Sequence, residues 1–120
     1  MKFSIITVVK NEISKIGLTI KSLKNQSFKD YEHIIFDGES TDGTSEFLKK
    51  ISNKKTLHFR EKDRSVYDAL NKSFKKAKGE YFIVLHSGDF FYSKHSLSIL
   101  SKSIDKNKNY DFYYSNILFY

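Results

Sequence analysis

Two periods of apolar positions alternate along the chain. Phe3–Val9, FSIITVV, is a β-branched run that reads as a buried strand. Directly after it Ile13, Ile16, Ile20 and Leu23 recur at helical spacing, and Asn25, Gln26 and Ser27 close that segment. The change of period then repeats. YEHIIF (31–36) reads as a second strand and DGESTDGT as a turn-rich loop in which Asp42 is placed to cap a helix from Thr44. Phe47, Leu48 and Ile51 mark that short helix. TLHFR (56–60) is a third strand, and Val66, Leu70, Phe74 and Ala77 line a third helix that stops at Gly79. EYFIVLH (80–86) is a fourth strand, Leu97, Leu100 and Ile104 mark a fourth helix, and YDFYYSNILFY (110–120) is a last strand.

Five strands alternating with four helices predict an α/β fold: right-handed βαβ crossovers, a mainly parallel sheet and helices on both faces, in a single Rossmann-like domain over residues 1–120. Ligands of such sheets bind outside the carboxyl ends of the strands. Polar groups stand at those ends here: KNE (10–12) after the first strand, Asp37 after the second, Asp63 after the third, and Asp89 in HSGDFFY after the fourth. Any one of these acids can be a cap or a turn former. Four converging on one crevice suit a ligand with a base, a sugar and phosphates, one carboxylate holding a divalent ion between the phosphates.

Composition narrows the partners. The net charge is +7, but 19 of the 21 basic residues are Lys spread along the chain, and only Arg60 and Arg64 offer a bidentate fork. That distribution reads as a solvated surface with a weak attraction to phosphates and against a nucleic-acid partner. Without cysteine there are no disulfides or thiolate metal sites. The longest apolar runs, IITVV and FIVL, are too short to cross a bilayer, and MKFSIITVVKNE lacks the form of a signal peptide, so the expected location is cytoplasmic. A dehydrogenase would carry G-x-G-x-x-G after the first strand, where this chain has VVKNEIS, and the phosphate-binding G-x-x-x-x-G-K-[ST] is absent too. The acids of a phospho-receiver domain are not in their places.

The blocks SIITVVKNE, IIFDGESTDGT and EKDRSVYDALNKSFKKAKGEYFIVLHSGD resemble, in order and spacing, those of the family 2 glycosyltransferases of the GT-A fold, and the SGD variant resembles bacterial enzymes that build surface polysaccharides. The resemblance runs from Lys2 to about Asp89 and weakly on to Tyr120. It implies sugar transfer from a nucleotide diphosphate, most often a UDP-sugar, to a saccharide or lipid-linked acceptor with inversion. It also implies peripheral attachment of the full-length enzyme to the inner face of the membrane. Thr7, Val9, Asn11 and Glu12 would wall the nucleotide pocket, Asp37 would accept from the N–H of the uracil ring, and Asp63 and Asn71 would flank base and donor sugar. Ser87, Gly88 and Asp89 occupy the DxD-type position, where Asp89 would ligate Mg²⁺ or Mn²⁺. Phe90 and Phe91 read as packing residues.

The chain departs from that pattern at several positions. His86 stands where relatives carry Asp or Asn, which removes a second carboxylate, and Ser65, Ser73 and Glu39 replace expected glycines. The family's general base is expected beyond Tyr120. Asp105 and Asp111 read as surface residues, and the acceptor-binding half is expected to be absent. The alternative reading is a truncated or degenerate nucleotide-binding protein without transferase activity. Six aromatics in residues 110–120 predict self-association into a homo-oligomer through that end.

Overall fold

A computed structural model of the chain describes residues 1–113. Four strands, β1 (Phe3–Val9), β2 (Tyr31–Asp37), β3 (Thr56–Arg60) and β4 (Tyr81–Val84), alternate with four helices, α1 (Ile13–Lys24), α2 (Thr44–Ile51), α3 (Val66–Lys76) and α4 (Ser96–Lys106). The sheet is parallel throughout, in the order β3-β2-β1-β4, with Phe3 level with Tyr31 and Tyr81. The last predicted strand falls mostly outside the described residues, and residues 110–113 carry no strand. Among the described residues no helix is long and apolar enough to cross a membrane.

The two-residue period of the strands decides what each layer covers. Phe3, Ile5, Thr7 and Val9 of β1 share a face with Tyr31, His33, Ile35 and Asp37 of β2, and α1, α2 and α4 pack there. Val9 and Ile35 meet Ile16 and Ile20 of α1 and Leu48 of α2, while Phe3 and Ile5 meet Leu23, Leu97 and Ile104. The opposite parity, Ser4 and Ile6 with Glu32, Ile34 and Phe36, faces α3. Both faces of β1 and β2 are therefore buried, which explains why those strands read as continuous apolar runs.

β4 differs from the predicted strand. It is shorter than residues 80–86 and it alternates: Tyr81 and Ile83 pack against the core, whereas Phe82 is 52% and Val84 39% exposed. It lies at an edge of the described sheet, and α3 lies over β1 and β2 instead. Phe74 reaches across, its ring 5.3 Å from that of Phe82. The helix α3 also turns a different face inward from the one its apolar residues suggested. Ala69 and Ser73 are buried and Val66 is exposed, because small side chains let the helix approach the sheet closely.

The turn from α3 into β4 is pinned by polar groups. Glu32 on β2 accepts from Ser4 Oγ at 2.6 Å and from Lys78 N–H at 2.7 Å, and Ser4 Oγ accepts from Gly79 N–H at 2.8 Å. α3 ends at Lys76 with an extended Ala77, so Gly79 is not the helix terminator. It is glycine because a Cβ there would meet Ser4 N at 2.5 Å and Phe3 C at 2.6 Å. Gln26, which closes α1, is buried and holds the entry to α4: its side chain donates to Ser93 C=O at 2.7 Å and accepts from Leu97 N–H at 3.0 Å.

Candidate nucleotide-sugar site

The turns after β1 and β2 are laced together by side chains. Asn11 N–H donates to Ser40 Oγ at 2.9 Å, and Asn11 Oδ1 accepts from Thr41 N–H at 2.7 Å. Asp42 accepts from Thr44 N–H at 3.0 Å and reaches across to accept from Ile13 N–H, the first amide of α1, at 3.1 Å. The predicted cap thus serves two helices. It sits one residue ahead of the α2 N-cap position, which Gly43 fills at φ 101°. The Thr44 hydroxyl is the first cause, and the amides of Ile13 and Thr44 further causes, holding the Asp42 carboxyl below its usual range.

Asp37 lies beneath this lacing. Ser40 N–H donates to its Oδ1 at 3.0 Å, and Ser45 Oγ and His58 Nε2 (3.1 Å) reach its Oδ2. Burial by itself would raise its carboxyl, but hydrogen bonds from Ser45, Ser40 and His58 outweigh burial and hold it below the usual range. Asp37 has no exposed surface. Thr7 is equally buried, donating to Leu85 C=O at 2.7 Å and bonded to His33 Nε2 at 2.8 Å, and Val9 is core beside Ile16 and Leu48. These three positions therefore present nothing to a ligand in the crevice, contrary to the roles the family resemblance implied. The reason is parity: their side chains point under α1 and α2 and not over the sheet end.

The groups that do stand at the crevice come from loops. Asp63 lies against Gly38, so closely that a Cβ at residue 38 would collide with its Oδ2. Its loop is fastened by Lys72 of α3, whose ammonium donates to Lys62 C=O at 3.1 Å and pairs with Glu61 and Asp68 at 3.2 and 3.4 Å. Ser65, one of the positions where a glycine was expected, is the N-cap of α3. Its φ of −172° is open to any residue, and its hydroxyl accepts from Asp68 N–H at 3.2 Å. Ser73 is buried and donates to Ala69 C=O at 2.7 Å. Glu39 differs from both. Its φ is 59°, in the left-handed region that favours glycine. Glu39→Gly is expected to raise unfolding stability by about 1 kcal/mol in urea titration, and an unchanged or lower stability would show that its side chain earns its place.

The fourth strand end is a tight turn, His86–Asp89, closed by Asp89 N–H donating to His86 C=O at 3.0 Å, with Gly88 at φ 93°. Thr19 of α1 grips it, accepting from Gly88 N–H at 2.8 Å and donating to Asp89 C=O at 2.7 Å. Ser22 of the same helix accepts from Phe91 N–H at 2.7 Å, and Phe91 packs on the core while Phe90 is 44% exposed. His86 and Asp89 are both exposed. Glu12 is half-buried beside the start of α1, and Asn71 stands on the exposed side of α3. Neither Thr19 nor Lys72 stood out as functional from the sequence. Thr19 carried a signal, a polar residue set within the apolar stripe of Ile16, Ile20 and Leu23.

Among the described residues no group of three or more His, Asp or Glu side chains is placed to hold a metal ion. Asp89 offers one carboxylate at the tip of a fixed turn, which fits a cation only if a bound diphosphate supplies most of the other oxygens.

Comparison with known proteins places this arrangement. The family model for glycosyl transferase family 2 matches residues 4–119. The PGL/p-HBAD biosynthesis glycosyltransferase of Mycobacterium bovis (strain BCG / Pasteur 1173P2) is 28% identical over 120 residues, 97% of this chain and 46% of that protein. An uncharacterized glycosyltransferase of Rickettsia conorii (strain ATCC VR-613 / Malish 7) is 35% identical over 107 residues, 88% of this chain and 18% of its own. The chain thus spans about half the length of the mycobacterial relative or less of the others. Among solved structures, S. aureus TarS 1-349 superposes with a TM-score of 0.83 at 27% identity, covering 90% of this chain and 33% of that one, and it has also been solved in complex with UDP-GlcNAc. The parallel α/β architecture with helices on both faces is the nucleotide-binding half of the GT-A fold found in TarS. With the family model spanning nearly the whole sequence, the chain belongs to glycosyl transferase family 2.

Proposed function

We propose that the chain binds the donor of a sugar transfer, a uridine diphosphate sugar, across the ends of β1, β2 and β4. The observation that carries this is the placement of Asp63 and Asp89 at the two sides of one sheet end, each on a turn clamped by a neighbouring helix. TarS, in complex with UDP-GlcNAc, supports the choice of nucleotide. In this reading base and ribose lie over the Lys10–Glu12 and Gly38–Thr41 turns, with Asp63 accepting from donor hydroxyls or the ring N–H and Asn71 beside it. Ser87, Gly88 and Asp89 face the diphosphate. Asp37 organises the floor of the site.

Transfer breaks the bond between the sugar C1 and the diphosphate oxygen and forms one from C1 to an acceptor hydroxyl, whose proton passes to a base. Attack from the face opposite the leaving group inverts C1. Asp89 would be the residue to hold Mg²⁺ or Mn²⁺, which would supply positive charge beside the departing diphosphate. A saccharide or lipid-linked acceptor, and work at the inner membrane surface by a homo-oligomer, belong to the same proposal and concern the whole protein.

Titration calorimetry with UDP, GDP and dTDP, with and without Mn²⁺, tests the reading. UDP is expected to bind most tightly, and Asp89→Asn to remove most of the affinity gained on adding Mn²⁺. Asp63→Ala should weaken UDP by roughly 1–3 kcal/mol, the range for a lost hydrogen bond to a charged acceptor. Equal affinity for all three nucleotides, or an undiminished Mn²⁺ effect in Asp89→Asn, would overturn it.

A further inference from the structure

Beside the Ser87–Asp89 turn, on the side of α1, lies a cleft of about 350 Å³ lined by Ser14, Lys15, Leu18, Ser87, Gly88 and Asp89. Three features of it are unexplained by the fold. The Lys15 stem runs along Gly88, its Cδ 3.5 Å from where a Cβ would stand on that residue. The ion pairs among the described residues use Lys2, His58 and Lys72, so no carboxylate neutralises the Lys15 ammonium, although Asp89 borders the same cleft. The hydroxyl of Ser87 is buried, and among the described residues it has no hydrogen-bond partner. A buried hydroxyl without a partner is costly in a finished structure and is expected where a ligand completes the site.

The turn also has a deficit. It carries one carboxylate, Asp89, with His86 in the place of a second, and no converging set of metal ligands among the described residues. A cation held by a single carboxylate is tied to the chain less firmly than one held by two, because each anionic ligand adds to the protein's attraction for the cation. An ammonium carried by a side chain that lines the same cleft makes up that deficit directly.

Resting on the donor-binding reading above, we infer that Lys15 is a phosphate-binding residue of this site. Its ammonium pairs with the donor's diphosphate in the cleft between α1 and the Ser87–Asp89 turn, and it gives the chain a part of its nucleotide affinity that needs no metal. Glycine at 88 answers to its φ of 93°, the Lys15 stem lies in contact along it, and the Ser87 hydroxyl is placed to complete a hydrogen bond once an anion enters. Length and flexibility suit lysine to this task, since it meets a phosphate as a point charge where no planar fork is required.

The experiment is a calorimetric titration of UDP and of uridine into the wild-type chain and into Lys15→Ala and Lys15→Arg, in EDTA and again with Mn²⁺. In EDTA the wild type is expected to bind UDP measurably. Lys15→Ala should weaken it roughly tenfold, as for one lost charge-assisted hydrogen bond, leave uridine unchanged, and make the affinity more dependent on Mn²⁺. Lys15→Arg should keep most of the UDP affinity. UDP affinity in Lys15→Ala equal to the wild type, or wild-type binding of UDP only with Mn²⁺, would overturn the inference while leaving the donor site standing. Loss of UDP and uridine together in Lys15→Ala would also overturn it, since that marks a structural role. A wild type that binds UDP under neither condition would sink the donor-binding reading, and this inference with it.

Discussion

Acidification from pH 6.5 to pH 5 is expected to cost the folded protein roughly 2 kcal/mol, at the limiting slope of about 1.4 kcal/mol per pH unit for one proton. The group responsible is His33, in the middle of β2 and 1% exposed. Thr7 gives its hydroxyl hydrogen to Leu85 C=O, so it accepts from His33, and the imidazole is neutral with its proton on Nε2. Burial first, and the nearby Lys24 charge second, push the His33 pKa from 6.5 down to about 3. A depressed histidine acts against folding in acid: above 6.5 both states are neutral and nothing is lost, whereas below it only the unfolded chain takes up the proton. The loss grows until the folded pKa is reached, to a total on the order of 5 kcal/mol, a large share of the 5–15 kcal/mol typical of a domain. Urea titrations at intervals between pH 8 and pH 5 would measure it. His33→Gln, which can still donate to Thr7, should flatten the slope whatever it does to stability at pH 8. An unchanged slope would place the titrating group elsewhere.

Asp37→Ala is expected to destabilise the fold by about 3 kcal/mol, since removing one member of a buried ionic and hydrogen-bonded set leaves the others without partners. The others are named: Ser40 N–H, the Ser45 hydroxyl and His58 Nε2, with Arg60 Nε donating to Ser45 Oγ at 3.1 Å behind them. Chemical denaturation at neutral pH checks the magnitude. A variant with wild-type stability and lost UDP affinity would return Asp37 to the role of a ligand group and overturn its placement under the site floor.

That contrast shows how far the sequence could be read. β1, β2, β3, α1, α2 and α4 lay where period and punctuation put them, because strands buried on both faces and helices with one apolar stripe leave strong patterns. α3 lay in its place but with another face inward and an earlier end. The site was legible as a place, the carboxyl ends of the strands, and less so as a set of side chains. Whether a strand-end residue faces the crevice or lies beneath it depends on which face α1 and α2 cover, and a shift of one residue reverses the answer. Thr7, Val9 and Asp37 fell on the covered side, while Asp63 and Asp89 lie on loops free of that constraint. β4 misled for a related reason: YFIV reads as fully buried, yet its outer parity, Phe82 and Val84, lies beyond the reach of α3. Nothing local marked Lys72 or Lys15, and Thr19 showed only as a polar residue within an apolar stripe, because their roles arise from turns distant in sequence.

The lacing of the β1–α1 and β2–α2 turns bears on what binding would demand of the chain. Asn11, Ser40, Asp42 and Thr44 tie the two turns into one rigid wall before any ligand arrives. Conformational entropy is thus surrendered there during folding, and a nucleotide meeting that wall has little left to order. The opposite walls are held differently. The Asp63 loop is tied to α3 through one long side chain, Lys72, while the Asp89 turn is closed by its own backbone bond and held by Thr19 and Ser22 of α1. Under the donor-binding proposal, a base would meet a wall ordered in advance, and the ordering left to a ligand would fall on the Asp63 side.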